Sequence, residues 1–279
     1  MNISVALRVF TPSVDLLSKT FQQVKNMLDK LQQVKTTLWG LKFVDILIPV
    51  NPAFKDVDCG ATKASLRETI GFVPFSLKIT ESAEDPFSGI LNELVLGRVK
   101  KECTHLLVAS LTCASYMTAE NISRLVAPFD EGARATGLVL PDLKDLISAG
   151  NLTNTFAMWD IEMLIRAGMF DLRVGNPYKD QRRNTYVRAG LGGSKIYPIT
   201  GVEVPTLVNL IDLCGPCIAP VLPVEEGVWE HPNPEIDQDG YLREVEKMAS
   251  KKARHDAAAA MMGVTLEFVK SGVMPGYPK

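Results

Sequence analysis

Apolar positions fall into short runs of about five residues that alternate with stretches where they recur every three or four. Ile3 to Phe10 is an apolar run that ends at Thr11-Pro12, the pattern of a buried strand closing in a turn. Leu17, Phe21, Val24, Leu28 and Leu31 then define one face of a long helix. Val44 to Val50 reads as a second strand, followed by a turn-rich stretch through Asp58-Cys59-Gly60 and a helix over residues 61–69. The same alternation predicts strands at 75–79, 105–109 and 135–140 and helices at 87–99 and 119–126.

Strands that alternate with helices imply an α/β domain with a mostly parallel sheet covered on both faces. Ligands in such sheets bind beyond the carboxyl ends of the strands, where Thr11, Asp58 and Ser110 stand. The pattern loosens after about Gly150. Residues 171–201 are rich in Gly, Asn and Arg and read as one long binding or lid loop. Residues 205–213 return to helix. Cys217 to Val224 is an apolar run broken by prolines, hence an edge strand. The Pro-rich His231-Pro232-Asn233-Pro234 reads as a linker, and 241–269 as a mainly helical tail. The expected division is a transferase domain at 1–230 and a linker with helical extension at 231–279.

The chain has 279 residues, 46% hydrophobic and 22% charged, with a net charge of −2. Those are ordinary values for a soluble globular protein, and they provide no field that would attract nucleic acid or an acidic membrane surface. No apolar run approaches the roughly 18 residues of a membrane span. No basic, small-residue leader is visible at the N-terminus. Five scattered cysteines fit reduced thiols, so a cytoplasmic location is expected.

Four segments resemble the family 2 glycosyltransferases of the GT-A fold. Val9-Phe10-Thr11-Pro12 ends the first strand, and Asp56-Val57-Asp58-Cys59-Gly60-Ala61-Thr62 resembles the Asp-Asp-Gly-Ser-Thr that ends the second. Asn154 to Trp159, running on to Arg166-Ala167-Gly168-Met169-Phe170-Asp171, is similar to the family's acceptor-side segment. Glu203-Val204-Pro205-Thr206-Leu207 lies where the family carries Glu-Asp-x-x-Leu. The resemblance spans about residues 3–224. It implies a GT-A-like (Rossmann-like) three-layer sandwich that transfers a sugar from a nucleotide-sugar donor to an acceptor, with inversion.

Residue roles follow from that resemblance. Asp58, with Asp56 as substitute, would accept hydrogen bonds from the nucleotide; an Asx-turn or helix cap is the structural alternative. Thr11 and Ser110 would also touch the nucleotide. The family's metal-binding Asp-x-Asp is here Ser110-Leu111-Thr112, which keeps the spacing and offers only hydroxyls. Hard divalent cations such as Mg²⁺ or Mn²⁺ need anionic oxygens, so the motif supports no metal or other cofactor. Cations must then neutralise the leaving phosphate. Arg182 and Arg183, with Lys179 and Arg188, are the candidates, against a solvated basic surface as the alternative.

The acceptor side departs from the pattern as well. The family's base is replaced by Val204, which leaves the neighbouring Glu203 as base or as a charge at a helix start. Asp160 is a second candidate for acceptor chemistry. Trp159 offers a flat platform for a sugar face, or else a core side chain. These departures keep two rivals open: a catalytically inactive binding or scaffold protein, and a nucleotidyltransferase.

Three other patterns invite chemistry. Cys214-Gly215-Pro216-Cys217 has thioredoxin-like spacing, but it follows a helix and precedes a strand, the reverse of the order that activates a thiolate, so it reads as a turn. One Cys-x-x-Cys with no second pair does not complete a zinc site. Residues 235–246 partly match a calcium loop, but Pro232 and Pro234 exclude the entering helix. The tail's mixed charges do not suit a membrane, so its apolar face is expected to pack on the domain or on a second copy.

Overall fold

Seven strands form one sheet in the order β3-β2-β1-β4-β6-β5-β9 in the computed structural model. The strands are β1 (Ile3–Arg8), β2 (Leu41–Pro49), β3 (Ser76–Ser82), β4 (His105–Ser110), β5 (Ala135–Leu138), β6 (Phe156–Asp160) and β9 (Ile218–Val221). A separate antiparallel pair joins β7 (Thr185–Val187) to β8 (Ile196–Pro198). The helices are α1 (Leu17–Lys35), α2 (Cys59–Ile70), α3 (Phe87–Val99), α4 (Ala119–Asp130), α5 (Ile161–Arg166), α6 (Glu203–Cys214) and α7 (Leu266–Ser271). The structure describes residues 1–8, 17–35, 40–49, 59–71, 73, 76–82, 87–99, 102–139, 152, 155–170, 185–187, 196–198, 203–224, 235, 238, 241–242, 255–256, 258–260 and 262–278.

Both faces of the sheet are covered, which is why its central strands read as unbroken apolar runs rather than as alternation. Leu107 and Ala109 of β4 join Val5 and Leu7 of β1 in one core, beneath Phe21, Val24, Leu28 and Leu31 of α1. Leu106 and Val108 point the other way, into a core with Leu91 and Val95 of α3 and Leu207 and Val208 of α6. The result is the helix–sheet–helix sandwich that the alternation implies, of the GT-A-like, Rossmann-like class that the resemblance leads one to expect.

β6 is the departure from the expected pattern. Phe156–Asp160, within the segment similar to the family's acceptor side, is a strand inside the sheet, antiparallel to both β4 and β5. Four consecutive fully buried residues, Phe156 to Trp159, favour that place. Such a short apolar run has no period to distinguish a strand from a buried loop.

β9 lies at the end of the sheet, as its prolines require, and the C-terminal residues cover its outer edge. The Gly272 carbonyl accepts from the N–H groups of Cys217 and Ile218 at 2.9 and 3.0 Å, and Met274 N–H donates to Ile218 O at 2.9 Å. Ala258, Ala259 and Val269 are buried in the same core as α6. Among the described tail residues, these apolar side chains pack within the chain. A Cβ added at Gly272 would overlap the buried Ile211 side chain. Gly272→Ala is therefore expected to lower stability by about 1–3 kcal/mol through overpacking, read as a shift in the urea midpoint with an unchanged slope.

Candidate functional site at the carboxyl edge of the sheet

From β1 the chain builds β2 and β3 to one side, then crosses back to place β4 on the other. The carboxyl ends of β1 and β4 therefore flank a topological switch point, the crevice where open α/β sheets bind ligands. Arg8 of β1 and Ser110 of β4 are register partners there.

Ser110 closes β4 and starts a short 3₁₀ helix, Leu111–Tyr116. Leu111, Cys113, Ala114 and Tyr116 of that helix are buried and fix it to the sheet, while Ser110 and Thr112 stay half-buried. The Ser110 N–H donates to Thr155 O across the sheet at 2.8 Å, which holds the strand end in place. Ser110 makes no side-chain capping bond; its Oγ lies 2.9 Å from Thr112 Oγ1. Two neutral hydroxyls thus face one another at the switch point. Such a pair can donate to phosphate oxygens, and it lacks the anionic oxygens a hard cation needs.

Glu203 opens α6 and is half-buried. The far end of α6 turns through Gly215-Pro216 into β9, whose first residue pairs with Ala135 at the amino end of β5. Twelve residues of helix span about 18 Å. Glu203 therefore projects toward the carboxyl edge, the side occupied by Ser110. Thr206 Oγ1 donates to Met169 O at 3.0 Å, and Asn209 Nδ2 donates to Ala167 O at 2.8 Å. These bonds lock the first turns of α6 against the segment after α5. Asn92 of α3 grips the same segment through both amide atoms, on the N–H and the carbonyl of Phe170.

Asp160 and Trp159 belong to the opposite edge, which corrects the expected acceptor contacts there. Because β6 is antiparallel, its last residue, Asp160, pairs with His105, the first residue of β4. Five strand steps of about 3.3 Å put Asp160 roughly 16 Å from Ser110. Its carboxylate accepts from Met163 N–H at 3.1 Å as the cap of α5, and from Arg134 at 3.0 Å. Trp159 is fully buried and meets Phe170 edge to face at 5.3 Å. It presents no ring face to a sugar. Burial lowers the pKa of the adjacent His105, and Asp160 only partly opposes that effect. Polar residues at this edge are thus taken up in closing the fold.

Thr11, Asp58, Arg182 and Arg183 lie outside the described residues, as do Asp56, Lys179 and Arg188. Among the described residues no group of three His, Cys, Asp or Glu side chains gathers as a metal site. No described helix is long and apolar enough to cross a membrane. Sequence reading missed the role of Thr155, whose carbonyl orients the end of β4. The signal was the four-residue apolar run that follows it.

No family model and no curated protein matches the chain. Solved structures do. A 4-diphosphocytidyl-2C-methyl-D-erythritol synthase from Anaerococcus prevotii DSM 20548 aligns over 87% of this chain and 98% of its own, with a TM-score of 0.50 and 8% identity. A mannosyltransferase from Pyrobaculum calidifontis, in complex with GDP-Man and Mn²⁺, aligns over 94% and 74%, with a TM-score of 0.44 and 10% identity. A CMP:2-keto-3-deoxy-manno-octonic acid synthetase complexed with CTP aligns over 88% and 98%, with a TM-score of 0.41 and 8% identity. At such identities the likeness is one of fold, carried by the synthase.

Proposed function

We propose that this chain is a transferase that uses a nucleotide-sugar donor, a GT-A enzyme related to family 2 glycosyltransferases whose Asp-x-Asp has degenerated to Ser110-x-Thr112. The observation that carries the reading is the hydroxyl pair at the carboxyl end of β4, beside β1 at the switch point. In this reading the donor diphosphate lies over Ser110 and Thr112, and Thr11 and Asp58 hold the nucleoside. Arg182 and Arg183 take the charge that builds on the leaving phosphate, the role a divalent cation fills elsewhere. Glu203 removes the proton from the acceptor hydroxyl, which attacks the sugar with inversion. The product is a glycosylated acceptor and a free nucleoside diphosphate.

Titration calorimetry with UDP, GDP, CMP and dTDP, with and without Mn²⁺, tests the donor site. Binding of at least one of them without Mn²⁺ is expected; binding of none removes the site. Ser110→Ala with Thr112→Val is expected to weaken that binding about 10- to 100-fold for each phosphate hydrogen bond lost, at about 1.5–3 kcal/mol apiece.

A second reading, nucleotidyl transfer, is favoured by the synthase likeness, which spans nearly the whole of that chain. The two readings differ in product. Sugar transfer releases a nucleoside diphosphate, and nucleotidyl transfer releases pyrophosphate. A binding protein releases neither from any donor.

A further inference from the structure

Cys214 is the exposed last residue of α6, and Cys217 is buried, 1% exposed, at the start of β9. The residues between them, Gly215 and Pro216, make a tight reversal in which Gly215 takes a φ of +70°, and Gly215 N–H donates to Ile211 O at 2.7 Å. The reversal leaves the two free thiols three residues apart across one turn, near enough that the Cys214 sulfur adds to the raising of the Cys217 pKa. Cys217 is held from behind, because its own N–H and that of Ile218 are bound to Gly272 O. One thiol is open to solvent, and the second, one turn away, is buried.

We propose that Cys214 and Cys217 are a thiol modification site that a small-molecule disulfide, such as glutathione disulfide, closes into an intramolecular disulfide. Cys214 loses its proton to solvent, and its sulfur attacks one sulfur of the reagent. The reagent's S–S bond breaks and one thiolate leaves, which gives a mixed disulfide on Cys214. Cys217 then gives up its proton, and its sulfur attacks the Cys214 sulfur and expels the second thiolate. The protein loses two electrons and two protons, and the reagent becomes two thiols.

The placement sets the direction of this chemistry. Oxidising Cys-x-x-Cys pairs put the first cysteine at a helix N-terminus, where the helix dipole stabilises the thiolate and so the reduced form. Here the first cysteine closes a helix at its negative end. Burial, with the Cys214 sulfur beside it, pushes Cys217 up to about 12. The Cys217 thiolate is disfavoured by burial and Cys214 has no helix N-terminus beside it, so the closed disulfide resists reduction and the pair does not oxidise other proteins. Its formation is slow at neutral pH and faster in mild alkali, because the thiolate is the attacking species. The site lies at the amino edge of the sheet, remote from the donor site, and is independent of the proposed transfer.

The test uses the full-length native chain. It is incubated with glutathione disulfide, quenched in acid, alkylated, and read by intact mass and peptide mapping. The expected result is a loss of two hydrogens in mass, with the bond mapped between Cys214 and Cys217. Cys214→Ser, a change at an exposed position, should abolish it. A persistent glutathione adduct on wild-type Cys214, a bond mapped elsewhere, or an unchanged mass in mild alkali would each overturn the proposal.

Discussion

Glu203→Gln is expected to lower kcat by about 10²- to 10⁴-fold, the usual contribution of a positioned general base, while leaving KM for the donor nearly unchanged. The reason is geometric as well as chemical. Glu203 heads a helix whose next turns are buried and hydrogen-bonded to the segment after α5, so it stands on a fixed support. Gln keeps the size and polarity of the side chain and removes only its ability to take a proton. Asp160→Asn is the matched control. Asp160 lies roughly 16 Å from Ser110, at five strand steps of about 3.3 Å. Its carboxylate is already used by Arg134 and the α5 cap. This variant should retain turnover and lose only about 0.5 kcal/mol of stability, because Asn caps a helix as well as Asp and only the partly exposed Arg134 pair is weakened. A Glu203→Gln enzyme with wild-type kcat, or an Asp160→Asn enzyme that folds but is inactive, would refute the assignment of the base.

The largest stability effect is expected at Arg98. Asp45 is fully buried on β2, and its carboxylate is bound by Nε and Nη2 of Arg98 on α3. The guanidinium also stacks 4.3 Å from the Phe43 ring centroid. Arg98→Met keeps the apolar bulk and strips the charge, leaving a buried carboxylate without its partner. A loss of about 3–5 kcal/mol is expected, a large part of a typical domain's stability. Replacing both members, Asp45→Leu with Arg98→Met, should recover most of it, because the desolvation cost disappears along with the attraction.

The pH dependence separates this account from a simple packing defect. Burial raises the Asp45 pKa above its ordinary value, and Arg98 pulls it back. Without Arg98 the folded-state pKa rises further. A carboxyl with a raised folded pKa contributes stability that is fully present below the unfolded value and is lost as pH rises through the folded one. Arg98→Met should therefore lose more stability than wild type between about pH 4 and pH 7, and the double variant should lose none of this extra amount. Urea titrations at the two pH values decide it; parallel losses in all three proteins would leave packing as the whole effect.

The legibility of the fold varied with the length and period of each signal. The face of α1 was marked by Phe21, Val24, Leu28 and Leu31, all buried as their spacing implied; Met27 and Val34 are buried with them, and the side chain of Leu17 lies outside those described. The helix at Phe87–Val99 matches the expected bounds, and the edge position of β9 followed from its prolines. The antiparallel β6 was not legible. Strand direction leaves no trace in a four-residue apolar run. A family motif likewise conveys order along the chain and not the edge of the sheet that Asp160 and Trp159 reach.

Local sequence thus determined the elements, since helical and strand periods and turn chemistry act over a few residues. It also set the chemistry at the end of β4, a pair of hydroxyls. Only the tertiary structure decided the rest. It placed Ser110 beside β1 at a switch point, put Asp160 at the far edge, spent Trp159 on the core and joined the C-terminal residues to the edge of β9. Each of these depends on strand order and direction, which are fixed by how two apolar faces are covered at once rather than by any one segment's own preference.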